Sequence, residues 1–285
     1  GGTPPVTGAT EEWNTGTPIG AWVTGGNLNQ DRYGMAASGT TASSIGFGGR
    51  ISPPNAIQTL TESYNGTNWT EVNDLNTATF LQGSTTGPST AALSFGGSTG
   101  SVSAKNEIWN GTNWTETTAL NTARSGNAGC GTTTAALSTG GSSAANELWN
   151  GSNWTEVNDL NNVRNGLNAN SLGISTATTV SGGEQPAAPY AIYAYTETWN
   201  GTNWTEVNDM NTGRHVMGHS GISTLGLAFG GTPPATGKTE QWNGTNWSEE
   251  ADLNTVRSYP ASSGSASSAL AVGGNIPPGA SSAAT

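Results

Sequence analysis

One stretch of eighteen residues recurs along the chain, and this repeat constrains the fold more than any other feature. Its clearest copy, EIWNGTNWTETTALNTAR, covers residues 107–124. The third position of each copy is aromatic, and successive anchors are separated by 51, 45, 40, 50 and 43 residues. Such spacing is typical of structural units that stack or close into a ring. The six copies, of which the first is degraded, are 11–32, 62–79, 107–124, 147–164, 197–214 and 240–257.

Each repeat divides into four short segments with the character of strands. A Gly/Ala/Ser-rich segment precedes an apolar segment that ends in Gly-Gly, and after a spacer come two aromatic segments around Asn-Gly. Asn-Gly in this setting indicates a tight hairpin turn, since both residues tolerate positive φ. Four strands in about 40–45 residues are typical of one propeller blade. We therefore predict an all-β fold, a six-bladed propeller with four-stranded blades in a single domain over residues 1–285.

The order of segments at the two ends predicts how the ring closes. Residues 11–24 read as a hairpin without preceding strands, and residues 257–274 read as two strands without a following hairpin. Joined in one sheet, they complete the sixth blade as a two-plus-two clasp and leave no exposed sheet edge. Because the first residue is glycine, we also expect a processed product or part of a longer chain.

Composition argues against several classes of protein. Only 9% of residues are charged and 42 are glycine, yet all 11 tryptophans lie inside repeat copies, which favours a packed fold over disorder. The formal net charge of −11 argues against nucleic acid as a partner. No apolar run approaches the ~20 residues of a membrane helix, so we expect no membrane insertion. Cys130 is the only cysteine, and its small-residue setting favours a buried, unreactive thiol.

The order of segments resembles the kelch repeat of β-propellers over essentially the whole chain. The shared features are an Arg, a small-residue strand, an apolar strand ending in Gly-Gly, a spacer, and two aromatic residues, which stand closer together here than in most kelch blades. The consensus sequence of the repeat, WNGTNWTEVNDLNTAR, also resembles repeat arrays in predicted proteins of marine bacteriophages. That second resemblance implies a virion protein, and we therefore expect an extracellular or virion location.

Charges recur at fixed positions of the repeat. Of 19 acidic residues, 15 occupy three repeat positions, and five of the six arginines occupy the last position. Ion pairs between blades and hydrogen bonds in turns explain this most simply, and the recurring Asn of the NDLN segment is expected to form an Asx turn. An anion-binding arginine ring and a multivalent cation site are the functional alternatives. The positions assigned a structural role are Trp109, Trp114, Trp149, Trp154, Trp199, Trp204, Trp242, Trp247, Glu107 and Arg124.

No arrangement of residues indicates catalysis. His215 and His219 are the only histidines, and on a strand they would lie ~13 Å apart, too far for one metal ion. Kelch-like copper oxidases use Tyr, His and a modified Cys, and no matching set can be assembled here. We predict a protein that is not an enzyme and that has no catalytic residues, no cofactor and no metal site.

The spacer after Gly-Gly is where the copies diverge. Its length varies between 5 and 13 residues, whereas the segment before Gly-Gly keeps 15 to 17. Variable loops on a repeated scaffold are the usual place for a binding surface, and the kelch resemblance implies that these loops share a face with the NDLNTAR connection. Two spacers are long, 50–61 and 184–196. The candidate ligand-binding residues in them are Tyr190, Tyr193, Tyr195 and Arg50.

These observations predict a noncatalytic binding or structural propeller on a phage surface or tail. Its loops would contact a host-surface glycan, a protein receptor or neighbouring virion subunits. A multivalent soluble lectin is the main alternative, with sugar sites between blades built from the repeated Trp and Asn. That alternative predicts roughly five or six equivalent binding sites per chain, whereas recognition by the variable loops predicts one asymmetric site. A carbohydrate-active enzyme is the third alternative.

Overall fold

The computed structural model describes residues 5–15 and 20–277, which form six sheets with no α-helix among them. Blade I contains β1 Thr10–Asn14, β2 Ala21–Thr24, β24 Ala261–Ser265 and β25 Ser268–Val272. Blade II contains β3 Ala36–Thr40, β4 Ser43–Phe47, β5 Thr61–Tyr64 and β6 Trp69–Val72. Blade III contains β7 Gly83–Ser84, β8 Ala92–Phe95, β9 Asn106–Trp109 and β10 Trp114–Thr117.

The remaining blades follow the same plan. Blade IV contains β11 Asn127–Thr132, β12 Ala135–Gly140, β13 Asn146–Trp149 and β14 Trp154–Val157. Blade V contains β16 Leu172–Ile174, β17 Ala177–Ser181, β18 Thr196–Trp199 and β19 Trp204–Val207, preceded by the short β15 Ala169–Asn170, which pairs in parallel with β11. Blade VI contains β20 Gly218–Ile222, β21 Leu225–Phe229, β22 Thr239–Trp242 and β23 Trp247–Glu250.

The prediction of a six-bladed propeller with four-stranded antiparallel blades is confirmed. The predicted clasp is also present, because β1 of the N-terminal hairpin pairs antiparallel with β25, with Glu11 opposite Ala271. The first strand of each blade lies next to those of the neighbouring blades around a common axis. The ring is therefore closed by backbone hydrogen bonds between the two ends of the chain.

The hairpin between the third and fourth strands differs from its prediction in one respect. Trp109 pairs directly with Trp114, so the loop has four residues. Only Gly111 adopts positive φ, at 93°, and the preceding Asn110 does not. Instead, the Asn110 side-chain oxygen accepts hydrogen bonds of 2.9 Å from the backbone amides of Thr112 and Asn113. Asn is therefore used here for its side-chain acceptor, and the expectation that it would take a positive φ was wrong.

The hydrophobic core is divided into six clusters, each shared by neighbouring blades. Between blades II and III, Phe47 lies before Gly-Gly in β4 and meets the Trp114 ring at a centroid distance of 4.7 Å. Trp114 Nε1 also donates a 3.1 Å hydrogen bond to Thr61 Oγ1 of blade II. Each aromatic hairpin is thus buried against the preceding blade, where large aromatic side chains contribute most to stability.

The ring has two faces with different loops. We call the face that carries the spacer between the second and third strands, together with the connection to the next blade, the loop face. Leu75 of such a connection donates its amide to Thr59 O of the spacer at 3.0 Å, so the two segments lie side by side. On the opposite face, which we call the hairpin face, the tight turn at Gly111 lies beside the turn at Thr90.

The axis of the ring is filled at the loop face. Backbone amides of six successive connections donate to the carbonyl of the connection before, in a closed circle of hydrogen bonds. Below this circle, Asn170 Nδ2 of β15 reaches both Ser262 O of blade I, at 2.6 Å, and Ala37 O of blade II, at 3.2 Å. The cavity that remains on the axis is about 10 Å³, room for about one water molecule. The donor–acceptor pairs of the circle are Gly34–Tyr259, Leu81–Gly34, Gly126–Leu81, Leu167–Gly126, Val216–Gly166 and Tyr259–Val216.

Candidate functional site

Arginines at the end of five repeats form buried ion pairs with the third strand of the following blade. Arg124 leaves the connection after blade III, and its Nη2 lies 2.7 Å from Glu147 Oε1 of blade IV. Arg124 Nη1 also donates to Gly140 O and Ala145 O, at 3.2 and 2.6 Å. The ion pairs predicted from the repeating charges are therefore present. They are Arg32–Glu62, Arg124–Glu147, Arg164–Glu197, Arg214–Glu240 and Arg257–Glu11.

These pairs are structural because they are fully enclosed. Burial lowers the pKa of the Arg124 guanidinium, and the neighbouring Glu147 carboxylate acts in the opposite direction. Nε, Nη1 and Nη2 of Arg124 all donate hydrogen bonds, which is the condition for a buried charge to be tolerated. The Nε groups of Arg32, Arg164 and Arg214 have no such partner. None of the five arginine side chains exposes more than 1% of its surface, so they cannot act as an anion-binding ring.

Two of the predictions for the other recurring polar residues were wrong. The recurring Asn does not form an Asx turn; instead Asn121 donates its backbone amide and Nδ2 to Glu147 Oε2, at 2.7 and 2.9 Å. The Glu two residues after the second aromatic residue of the repeat does not join neighbouring blades. Glu116 lies on the exposed fourth strand, 3.5 Å from Lys105 of the same blade. The Asn and the Glu two residues before the first aromatic residue thus join each connection to the next blade, and we call this group, with the Arg where it is present, an interblade clamp. The Glu two residues after the second aromatic residue faces solvent.

The repeated tryptophans lie between blades and have little exposed surface. Trp109 and Trp114 expose 3% and 5% of their surface, and the corresponding rings of the other blades are similarly buried. Rings with so little exposed surface offer little area for stacking on a sugar. A cleft of about 290 Å³ does lie outside the interface of blades II and III, lined by Asn73, Thr112 and Trp109 itself. The burial of the rings does not favour the interblade lectin, which stays an untested alternative.

The tyrosine-rich spacer of blade V forms a cleft on the loop face. Tyr193 stacks on Tyr195 with ring centroids 4.8 Å apart and an interplanar angle of 24°, and the Tyr193 hydroxyl donates to Gln185 Oε1 at 3.1 Å. Tyr190 is 77% exposed. The cleft beside Tyr193 has a volume of about 360 Å³ and is also lined by Val163, Gln185, Pro186 and Ala187. This volume and this mixture of apolar and polar groups suit a small ligand or an inserted side chain.

Arg50 lies on the same face but apart from the tyrosines. Its guanidinium lies 4.7 Å from the centre of the Phe80 ring, and its Nε donates to Asn55 O at 2.9 Å. Arg50 belongs to the spacer of blade II, and blade V is three blades away around a ring of six. The structure therefore stacks Tyr193 on Tyr195, places only Tyr193 of the three tyrosines in the wall of the cleft, and leaves Arg50 on the opposite side of the ring.

The two histidines lie in different surroundings and do not form one site. His215 Nδ1 lies 3.3 Å from Glu184 Oε2 on the loop face, whereas His219 is buried and its Nε2 lies 3.0 Å from Ser181 Oγ. Desolvation lowers the pKa of His219 to about 3, with Arg214 as a smaller cause, so the ring is neutral at physiological pH. The described residues contain no group of three or more His, Cys, Asp or Glu side chains that could hold a metal ion.

The Ser181–His219 contact replaces an aromatic contact found between blades III and IV. At the same place between blades III and IV, the Phe95 ring lies over Gly129, where a Cβ atom would be only 2.3 Å from Phe95 Cζ. Ser181 stands where Phe95 stands, and His219 stands where Gly129 stands. The imidazole therefore fills the space that the smaller serine leaves, which is a packing role.

Sequence reasoning found the tyrosines but missed the other walls of the cleft. Gln185, Pro186 and Ala187 were part of the long spacer, and their neighbours in space could be inferred only once the fold was known. Val163 belongs to a connection whose sequence follows the repeat and gives no sign of a binding role. Its side chain is nevertheless 47% exposed and lines the cleft beside the spacer. An exposed Val at a repeat position is the signal that could have placed it in a binding surface.

Comparisons with known proteins assign this chain to no family. The chain matches no protein-family model, and no curated protein sequence is significantly similar to it. Among the residues that the structure describes, no helix is long and apolar enough to cross a membrane.

Proposed function

We propose that this protein is a noncatalytic binding propeller that uses the loop face of blade V to recognise a partner. The observation that carries the proposal is a cleft of about 360 Å³ lined by Tyr193, in the same spacer as Tyr190, whose side chain is 77% exposed. Tyrosine offers a large flat surface and a hydroxyl at low entropic cost, a combination common in carbohydrate and protein recognition. The rest of the ring acts as a rigid support.

The partner is a host-surface glycan or a protein, with neighbouring virion subunits as the structural version of the same role. The resemblance of the repeat to arrays in marine bacteriophage proteins supports a place on a virion surface or tail. The net charge of −11 disfavours an anionic polymer as the partner. Reversible binding through stacking and hydroxyl hydrogen bonds requires no cofactor.

The first test is binding to a glycan panel and to intact marine bacterial cells. Wild type is compared with the triple variant Tyr190→Ala/Tyr193→Ala/Tyr195→Ala, which we expect to lose at least tenfold in affinity. The control removes three exposed apolar side chains from the hairpin face. That control is Ile174→Ala/Ile222→Ala/Leu225→Ala, whose side chains are 53%, 56% and 42% exposed. Equal binding by the wild type and the tyrosine variant would refute the proposal.

Two further measurements distinguish a glycan partner from a protein partner and from the interblade lectin. One bound ligand per chain is expected for the cleft, whereas a stoichiometry near six would favour the interblade lectin. Arg50→Ala should leave a small glycan unaffected because Arg50 lies three blades away. A protein partner that covers the whole loop face should instead lose affinity in Arg50→Ala as well as in the tyrosine variant.

A further inference from the structure

One of the six interblade clamps lacks its arginine. The repeat position filled by Arg in the other five copies is Thr79 in the second copy. Its backbone follows the path of the others, because Thr79 O accepts from Gly49 N at 2.8 Å just as Arg124 O accepts from Gly97 N at 2.7 Å. The connection is therefore in place, and only the side chain is missing.

The carboxylate that would face this arginine is still present and buried. Glu107 is 3% exposed and accepts hydrogen bonds from Asn76 N, Asn76 Nδ2 and Thr77 N, at 2.8, 2.9 and 2.9 Å. The equivalent Glu147 accepts the same three bonds and a fourth from Arg124. Glu107 thus has every partner of the clamp except the guanidinium.

The remaining acceptors of a guanidinium group are also in place. In every complete clamp, Arg Nη1 donates to the carbonyl of the first glycine of Gly-Gly and to the carbonyl two residues before the Glu. The corresponding carbonyls here belong to Gly96 and Lys105, and both residues line, together with Glu107, a cavity of about 10 Å³ that must widen to admit a guanidinium group. Five guanidinium groups of this protein occupy the equivalent space against the same backbone.

Thr79 itself indicates that this space is made for a polar group. Its side chain is 6% exposed and lines the cavity, yet Thr79 Oγ1 has no hydrogen-bond partner. A buried hydroxyl without a partner costs free energy, which a donor placed in the cavity would recover.

Lys105 does not replace the missing arginine. Its Nζ donates to Thr77 Oγ1 at 3.0 Å and lies 3.5 Å from Glu116, at the outside of the clamp. Lys238 of blade VI makes the matching contacts, with Thr212 and Glu249, although the buried Arg214–Glu240 pair is complete there. A lysine at this position therefore coexists with a guanidinium inside the clamp.

We propose that the cavity between Thr79 and Glu107 is a binding site for a guanidinium group. One nitrogen donates to Gly96 O and Lys105 O, and a second donates to Glu107 Oε1. The planar fork of a guanidinium fits this arrangement of acceptors, which a spherical cation does not match as well. The cavity is bordered by Thr77 of a connection and Thr99 of a spacer, and it therefore belongs to the loop face. The group comes either as a small free ion or on an arginine side chain of a bound partner.

The test measures binding of methylguanidinium and of N-acetyl-arginine amide by calorimetry and by thermal unfolding, with potassium chloride at matched ionic strength. We expect saturable binding of one methylguanidinium per chain, with a Kd on the order of millimolar for so small a ligand, and a rise in Tm that potassium does not reproduce. Thr79→Arg places a guanidinium in the cavity and should abolish binding. Glu107→Gln keeps the shape of the acceptor and should weaken binding at least tenfold.

A matched variant extends the same test to another blade. Arg124→Thr creates a second vacant clamp, and we expect two methylguanidinium ions to bind to it. Binding of N-acetyl-arginine amide would assign the site to a partner's arginine, and binding of methylguanidinium alone would assign it to a small ion. An equal response to potassium, or undiminished binding in both Thr79→Arg and Glu107→Gln, would overturn the proposal. This test is independent of the tyrosine cleft, because the two sites lie in different blades.

Discussion

Removal of one clamp arginine tests most sharply how the blades are held together. Arg124→Met keeps much of the apolar length of the side chain and deletes the charge. The variant loses hydrogen bonds to Gly140 O, Ala145 O and Thr122 O, and it leaves the Glu147 carboxylate buried without a counter-ion. Breaking a buried pair from one side costs about 3–5 kcal/mol, most of it from the unpaired charge.

A double variant separates the unpaired charge from the other losses. Arg124→Met/Glu147→Gln removes the stranded charge and keeps one acceptor oxygen, which can replace Oε2 as the acceptor of Asn121 N and Nδ2 but then leaves Thr122 N without the bond to Oε1. We expect the double variant to be more stable than Arg124→Met by about 1–2 kcal/mol, because a neutral acceptor costs less to bury than an ion.

The assay is equilibrium unfolding in urea, followed by the fluorescence of the 11 tryptophans, with the slope m checked for a constant unfolded state. A loss below about 1 kcal/mol in Arg124→Met would refute the reasoning that these pairs matter once formed. A double variant as unstable as the sum of the two single variants would show that the two residues act independently, and the unpaired charge would then not be the cause.

Further predictions concern packing, protonation and reactivity. Trp114→Ala should lose about 3–5 kcal/mol in urea unfolding, because the ring is 5% exposed and packs on Phe47; a loss below 1 kcal/mol would contradict the interblade core. His219 has a pKa of about 3 in the folded state, below the usual value of about 6.5 in the unfolded state. Between these pH values the unfolded state binds one more proton than the folded state, so the free energy of unfolding rises with pH. Wild type should therefore lose about 1.4 kcal/mol per pH unit relative to His219→Gln as the pH falls below 6.5, and parallel stability profiles would contradict this. Burial raises the pKa of the Cys130 thiol, so it should react with a maleimide only after unfolding; labelling of the folded protein would show that the thiol is accessible.

The repeat made the architecture predictable because each copy carries the pattern of a whole blade. The anchors, the Gly-Gly pairs and the offset ends together indicate six blades and a clasp, and the structure has both. The role of Asn110 was not predictable in detail, since the same residue serves a turn through its backbone or through its side chain, and only the four-residue loop decides.

The candidate site was less predictable because it depends on residues outside the repeat. Tyr190 and Tyr193 were found by composition, but Val163 joins the cleft only through the packing of a connection against a spacer. Likewise, the sequence shows Thr79 only as one position at which the second copy departs from the repeat. Its meaning becomes visible only when the five complete clamps show which atoms surround the missing guanidinium.

We propose that recognition belongs to the spacer of blade V and that the ring is its support. The most direct measurement exchanges residues 184–194 for the short spacer 142–144 of blade IV. Arg164 can keep its bond to Tyr195 O, which corresponds to the Arg124 bond to Ala145 O in blade IV. We expect an unchanged Tm and a loss of binding to marine bacterial cells. Retained binding by a chain of unchanged Tm would contradict the claim and would move recognition to another part of the propeller.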